Sequence, residues 1–507
     1  MTASGAWLRH RSLLTDDQAR TAERAFNRDL SQPLAFLALA VVYVISRAPF
    51  INIGYGTDPD AWRVALTGHW LWDHGEYYPS RLPGYPVPEL ASAVFIKGGW
   101  LATNTLTMIV SLVGVWVFAR IAAKLDLPNK AVIVVAFGFT PLLWINSMTT
   151  MDYMWALTFI LAAYYFVIER NSLLAGIALG LAIGSRSTSA LMLIPLLAYM
   201  WRDGQRSEFR PFLVSTVAVA ILAFTPIYWE YGPSFLNFYD SDVGYLNVLR
   251  LLGKDTLGLI GAIAVIIAIA LSLPRLARLP ADFVDDKHVM AWILAIGVTV
   301  ISFLRLPHEA AYLIPVYPFG FFLMAKYFKT WILSGAVAAI ILAGFVDLTS
   351  PGDELTSEAL TNARPGRGLV LANRRTMLAQ RDFVRDLERV EVVPRSVVSL
   401  GFVYPQFAVT NRDRLRIDIL DKDHSSISQL SDKGKAVDEA QQITYVWLLE
   451  YDEFERFREE GFQVYFTLDA GRSTAGLYGY RPGLFDANPI DLGRGPSGGS
   501  GAARTDR

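Results

Sequence analysis

The sequence predicts a polytopic α-helical membrane protein with a small α/β domain outside the bilayer. Three observations predict it. The chain has 507 residues, of which 53% are hydrophobic and only 18% charged. Between Pro33 and Val346, apolar runs of roughly 15 to 21 residues recur, about the length that crosses a hydrocarbon core of ~30 Å. After Val346 the long apolar runs stop and the pattern becomes that of a soluble domain. Net charge is −1, which offers no bulk attraction to nucleic acid. There is no cysteine, so disulfide and thiolate chemistry are absent, and the 6 histidines are too scattered for a zinc site.

Residues 1–32 carry Arg9, Arg11, Arg20, Arg24 and Arg28 among scattered acids and have no apolar core of a signal peptide. They read as a cytoplasmic tail, and 33–51 as the first span itself. Further spans are expected at 99–119, 131–149, 153–168, 171–185, 187–201, 211–229, 256–273, 289–304, 310–325 and 331–347, about eleven in all. With the N-terminus inside, the inner links and tail hold roughly seventeen basic residues against about seven outside. That bias places the C-terminus outside. It also puts the 52–98 loop, Arg186 and the Arg305–Glu309 turn on the outer face. In the outer domain, 349–491, helices are expected at 372–390 and 452–460 and strands at 396–400, 443–449 and 463–467. Residues 492–507 are Gly/Ser-rich and read as disordered.

Chemistry concentrates in the first outer loop, within GYGTDPDAWRVALTGHWLWDHGEYYPSRLPGYPVPE, residues 54–89. It is far longer than a connection requires. Pro59 favours an extended conformation at Asp58, and Asp60 then opens a helix over 61–72. Either aspartate suits a helix cap. A carboxylate at the membrane surface also suits the removal of a proton from a hydroxyl, and an Asp-x-Asp pair suits a divalent cation. Asp73 and Glu76 lie about 18 Å further along that helix. Asp60 is the expected base, with Asp58 as partner or alternate and Trp62 as a desolvating neighbour. The Pro-rich strip 80–89 reads as a wall of the substrate groove, which Tyr85, Trp62 and Glu309 are expected to line, and it carries Arg81 toward a phosphate. Arg186 sits between two apolar runs, where an ionisable residue is costly and functional by default. Arg305 and His308 end another span beside Glu309, and guanidinium groups bind phosphate bidentately. The aromatic stretch 228–245 reads as an interface belt.

Taken in order, Arg47–Pro49, TDPDAW, SRLPGYP, GLAIGSRSTSALMLIP and RLPHEAAYLIPVYPF resemble the GT-C superfamily of membrane glycosyltransferases. The resemblance is to the polyprenyl-phosphate-sugar-dependent branch of protein O-mannosyltransferases and lipid A aminoarabinose transferases, and it spans roughly residues 33–347. It implies inverting transfer at the outer membrane face, with an acidic base from the first outer loop and basic residues on the lipid phosphate. The expected partners are a polyprenyl-phosphate sugar donor and a lipid, glycan or protein acceptor. No cofactor is expected, and a metal, if one is used, falls to Asp58 and Asp60. The alternative is a transporter or flippase of a lipid-linked glycan. Such proteins place their charges near the midplane within repeated halves, whereas here the charges gather at one face. A mere anchor for the outer domain needs far fewer spans.

Overall fold

Helix starts in this chain are written largely by proline. The computed structural model describes residues 24–233, 245–349, 364–389, 392–419, 434–447 and 451–466. Arg9, Arg11 and Arg20, most of the 228–245 stretch and the Gly/Ser-rich tail lie outside the described residues. The chain divides into two compact units, Met1–Leu378 and Ala379–Arg507.

The first unit is mostly helical. Its helices are α1 (Pro33–Arg47), α2 (Pro59–His74), α3 (Pro86–Phe95), α4 (Gly99–Lys124), α5 (Lys130–Phe139), α6 (Pro141–Asn146), α7 (Tyr153–Ile168) and α8 (Ser172–Ser185). They continue with α9 (Leu193–Arg202), α10 (Phe209–Tyr231), α11 (Tyr245–Leu276), α12 (Leu279–Asp285), α13 (Lys287–Arg305), α14 (Val316–Tyr327) and α15 (Thr330–Ala343). Proline stands in the first turn of α1, α2, α3 and α6. There its missing N–H costs nothing and its fixed φ is already helical. Four helical stretches are long and apolar enough to cross a membrane alone: Pro86–Lys124, Arg206–Tyr231, Val248–Leu276 and Lys287–Arg305. Shorter apolar helices, among them α1, α5, α7, α8 and α15, accompany them. The protein is thus a helical membrane protein.

Three elements depart from the sequence expectation, each for a local reason. The run at 131–149 is two helices, because Pro141 forces Thr140 to ψ 132 and ends α5 there. The run at 187–201 begins as a 3-10 turn, Ser187–Met192, after Arg186 takes an extended conformation at φ −159 and ψ 115. The span expected at 256–273 sits inside the longer α11, which is broken at Gly258 (φ 72, ψ 162). The N–H groups of Leu259 and Ile260, freed by that break, donate to the Asp347 carboxylate at 2.8 Å each. A residue 87 positions away thus caps the second half of α11.

Close packing in the middle of this unit comes from glycine. A Cβ at Gly176 would lie 1.9 Å from Ser215 Oγ and 2.3 Å from the Phe212 carbonyl. One at Gly180 would lie 2.6 Å from Val219 Cβ, and one at Gly184 2.7 Å from Ala223 and 2.8 Å from Val87. One small face of α8 therefore meets α10 at backbone distance, as helices do where dispersion rather than burial drives association. Its last glycine also meets α3, and the next residues are Ser185 and Arg186. At the end of α1, fully buried Arg47 donates to Ser147 Oγ at 2.8 Å and to the Gly138 carbonyl at 2.7 Å. It ties α1 to α5 and to the turn after α6 with its guanidinium 3.3 Å from the Tyr43 ring centre.

A short hairpin of β1 (Val346–Thr349) and β2 (Arg364–Arg367) precedes α16 (Leu369–Leu387). The second unit holds a five-stranded sheet of order β4-β5-β6-β3-β7, with β3 (Ser396–Ser399), β4 (Arg416–Ile419), β5 (Gly434–Asp438), β6 (Ile443–Val446) and β7 (Gln463–Phe466). Strand β3 runs parallel to both β6 and β7, while β4, β5 and β6 are antiparallel neighbours. Helices α17 (Tyr404–Thr410) and α18 (Tyr451–Glu459) complete it. The core gathers Phe383, Val398, Tyr404, Phe407 and Trp447. The expected helices and strands are all present within a few residues. Strands β4 and β5, the hairpin and α17 are additions.

Candidate functional site

Asp58 takes φ −72 and ψ 130, the extended conformation that the following proline favours. Its Oδ1 accepts the Asp60 N–H at 2.9 Å, so Asp58 is the N-cap of α2. Asp60, in the first turn, receives Arg63 Nη1 on Oδ1 and Arg81 Nε on Oδ2, both at 3.0 Å. Arg81 also reaches Asp152 Oδ1 with Nη2 at 2.6 Å. The other oxygen of Asp152 receives Arg186 Nη1 at 2.7 Å. An alternating chain of charges, Arg63–Asp60–Arg81–Asp152–Arg186, thereby joins α2, the Pro-rich strip, the start of α7 and the end of α8.

Aromatic rings wall the two central arginines. The Arg81 guanidinium lies 4.0 Å from the Tyr85 ring centre, and that of Arg186 lies 4.4 Å from Tyr312 and 4.6 Å from Tyr153. Stacking of this kind holds a guanidinium flat while its edge stays available. Asp152 is 2% exposed and Arg81 8%. Arg81 Nη1 is buried and has no hydrogen-bond partner among the described residues. A buried donor left unmade costs about 1–3 kcal/mol, and an anionic oxygen placed there would relieve it.

The strip that carries Arg81 is itself pinned. Glu89, 0% exposed at the start of α3, accepts the Ser80 N–H at 3.0 Å together with the Ser80 and Tyr77 hydroxyls. The 52–57 turn is held by Asn104, which donates to the Ile51 and Gly54 carbonyls, and by Asn373, which donates to Thr57 Oγ1 at 2.9 Å. Trp62 packs edge-on to Tyr55, and its indole N–H goes to the Gly56 carbonyl at 3.0 Å. It acts as a support beneath the loop.

Electrostatics separates the carboxylates. Burial, and then the charge of Asp60, push the Asp58 carboxyl up to about 7. The surrounding protein, then Asp58 and Asp60, push Glu309 up to about 8, although its side chain keeps an open path to solvent. Beside Arg186 runs a cavity of about 70 Å³ between α7, the Ser187–Met192 turn and α13, with Tyr153, Met192, Phe303, Tyr312 and Ile314 among its walls. It is a narrow, mainly apolar slot with a cation at its edge.

The structure thus brings together Asp58, Asp60, Arg81, Tyr85 and Arg186 and sets Glu309 within electrostatic reach of both aspartates. Arg305 and His308 stay exposed, at the end of α13 and in the turn after it. Asp73 and Glu76 are exposed at the far end of α2. Sequence reasoning passed over Asp152, the carboxylate that bridges Arg81 and Arg186. Its signal was present in TTMDYMW, where an acid stands alone between two apolar runs. Glu89 was read as the end of a loop rather than its fastener. Among the described residues, no three His, Cys, Asp or Glu side chains come together in a way that would hold a metal.

Comparison with known proteins gives two likenesses. The family model of the GPI transamidase subunit PIG-U matches residues 63–247, about a third of the chain. That stretch holds Arg81, Asp152 and Arg186 and begins after Asp58 and Asp60. No curated protein sequence matches the chain. Among solved structures, the fold is similar to that of ArnT from Cupriavidus metallidurans, determined with undecaprenyl phosphate bound. The two are 13% identical, with a TM-score of 0.48, over 76% of this chain and 85% of that one.

Proposed function

We propose that the protein is an inverting glycosyltransferase that moves a sugar from a polyprenyl-phosphate donor to an acceptor hydroxyl at the outer membrane face. The observation that carries this reading is the pair of arginines, Arg81 and Arg186, bridged by Asp152 and set directly against the Asp58–Asp60 pair. The arginines hold the lipid phosphate, and the unpaired Nη1 of Arg81 is one donor to it. The slot beside Arg186 takes the first part of the lipid chain. Asp60, engaged on both oxygens, fixes Arg81. Asp58, with its proton affinity near neutrality, suits the general base better than Asp60 does. In the step itself the acceptor O–H gives its proton to Asp58, and its oxygen attacks the anomeric carbon. The bond from that carbon to the phosphate oxygen breaks, and the electron pair leaves with the lipid phosphate. A single displacement inverts the centre, and cations at the leaving oxygen lower the barrier by several kcal/mol in a dry site.

This reading includes about eleven crossings, an inner N-terminus and an outer C-terminal domain, as the basic-residue bias supports. A labelled polyprenyl-phosphate sugar incubated with the purified protein and acceptor is expected to release polyprenyl phosphate, with turnover that survives EDTA. Arg81→Ala, Arg186→Ala and Asp152→Asn are each expected to lose at least a hundredfold, and Arg305→Ala much less. Near-normal turnover in the first three would remove the proposed site. Loss in EDTA, restored by a divalent cation, would assign Asp58 and Asp60 to a metal.

A second reading follows from the PIG-U match: a membrane subunit that holds a lipid-linked glycan for a partner enzyme. It predicts donor binding without release of lipid phosphate.

A further inference from the structure

Helix α1 is held at both ends, and between them one stripe of Ala35, Leu39 and Tyr43 is buried while its other faces are open. At one end Arg47 is locked onto α5 and the turn after α6. At the other, Asn27 Oδ1 accepts the Asn129 N–H at 2.8 Å. Between these pins an open groove of about 530 Å³ separates α1 from α5 and α15. Ala35, Ala38 and Val42 form its α1 wall, Val135 and Phe139 its α5 wall, and Ile341 closes it from α15. With Leu39 beside Ala35, Ala38 and Val42, the α1 wall follows the three-and-four spacing of one helix face. Leu34, Leu37, Val41 and Ile45 on the other faces are exposed, as lipid-facing residues are.

At the head of the groove stands Arg28. The neighbouring Asp29 carboxylate is occupied by the Ser31 N–H and hydroxyl and by Gln32. Lys130 close by is paired with Asp126 at 2.7 Å. From Pro33 to Val42 the helix rises about 14 Å, close to half of a ~30 Å hydrocarbon core. The groove therefore has the length of one acyl chain in one leaflet. Its charged end lies at the start of α1, whereas the Asp58–Arg186 site follows the end of α1.

We propose that this groove is a binding site for one anionic phospholipid of the leaflet on the N-terminal side, its phosphate on Arg28 and one acyl chain along Ala35, Ala38 and Val42. The groove is half the depth that a spanning polyprenyl chain would follow and lies at the wrong end for the donor. A single surface arginine gives an anionic headgroup a preference of about fivefold. The site is independent of the transfer reaction.

Native mass spectrometry of the full-length protein, with phosphatidylglycerol and phosphatidylcholine of equal chain length added in turn, tests it. One phosphatidylglycerol is expected to be retained about fivefold better than phosphatidylcholine. Arg28→Gln should remove the preference while chain binding persists, and Ala38→Phe should block both lipids. Equal retention of the two headgroups by the wild type, or a wild-type pattern in both variants, would overturn the proposal. Wild-type protein labelled with a diazirine-acyl phosphatidylglycerol gives a readout free of any variant. Adducts are expected on the facing residues of α1, α5 and α15. Adducts confined elsewhere, or retention of polyprenyl phosphate in the groove, would also refute it, as would a cross-link from the groove to residues 1–23.

Discussion

In the proposed reaction two requirements meet at Asp58. As N-cap it must keep one oxygen on the Asp60 N–H; as base it must take a proton on the other. Its carboxyl is raised to about 7 by burial and by the charge of Asp60, so it is mostly protonated at pH 6 and mostly ionised at pH 8. Turnover limited by this base is expected to rise about tenfold per unit below pH 7 and to level off above pH 8. A pH–rate profile checks the limb, and Asp58→Asn should abolish turnover while leaving donor binding within a few-fold of wild type. Asp60→Asn removes the repelling charge, so any residual activity should show the limb at lower pH. A profile that ignores both changes would move the base elsewhere. Asp60 was the residue that the sequence pointed to, from its place at a helix start beside Trp62. The pairing of Arg63 with Asp60 is local, three positions along one helix, but that of Arg81 with the other oxygen is a long-range fact that no local pattern contains. The same holds for Asp152: its role depends on two arginines 71 and 34 positions away.

At the scale of elements, the position of Arg186 is set by how closely α8 approaches α10 and α3. A Leu at Gly180 would drive a side chain into Val219 and the Thr216 carbonyl, which are 2.6 and 2.9 Å from where its Cβ would stand. Overpacking of this kind costs about 1–3 kcal/mol. Gly180→Leu is expected to lower the melting temperature in detergent by several degrees and to weaken donor binding, since α8 must move outward with Arg186 at its end. Gly297, where an added Cβ meets nothing within 4 Å, serves as control: Gly297→Ala should leave both properties unchanged. The Pro-rich strip behaves similarly. Its rigidity was legible from three prolines in a row of six, but Glu89 as its fastener was not. A glutamate beside prolines reads as a helix start, and only the fold brings Ser80 and Tyr77 onto it.

For the whole molecule, the helical membrane architecture and the small sheet domain were legible because both rest on local periodicity. Long apolar runs demand helices in a medium without water, and alternating short runs demand strands. The register of strands β4 and β5 and the breaks at Thr140 and Gly258 were hidden, since each depends on pairing with a distant element or on one residue's backbone. The sidedness of the chain is checked by reporter fusions after Asp203 and after Gly352, which should report opposite faces. Equal signals would change the number of crossings between them.

The cap that Asp347 places on the broken α11 bears on how the C-terminal sheet domain can be removed. By position Asp347 belongs to the segment that leads out of the last apolar helix, and a cut at the end of that helix looks harmless. Yet its carboxylate satisfies two N–H groups in another helix. A chain ended at Gly344 would leave those donors bare in the bundle, at a cost of about 1–3 kcal/mol each. A chain ended after Leu378, the limit of the first unit, keeps the cap, the hairpin and the Asn373–Thr57 hydrogen bond. The shorter truncation is expected to aggregate on extraction and the longer one to elute as a single species in size-exclusion chromatography. The safe place to cut thus follows from a hydrogen bond rather than from a hydropathy boundary.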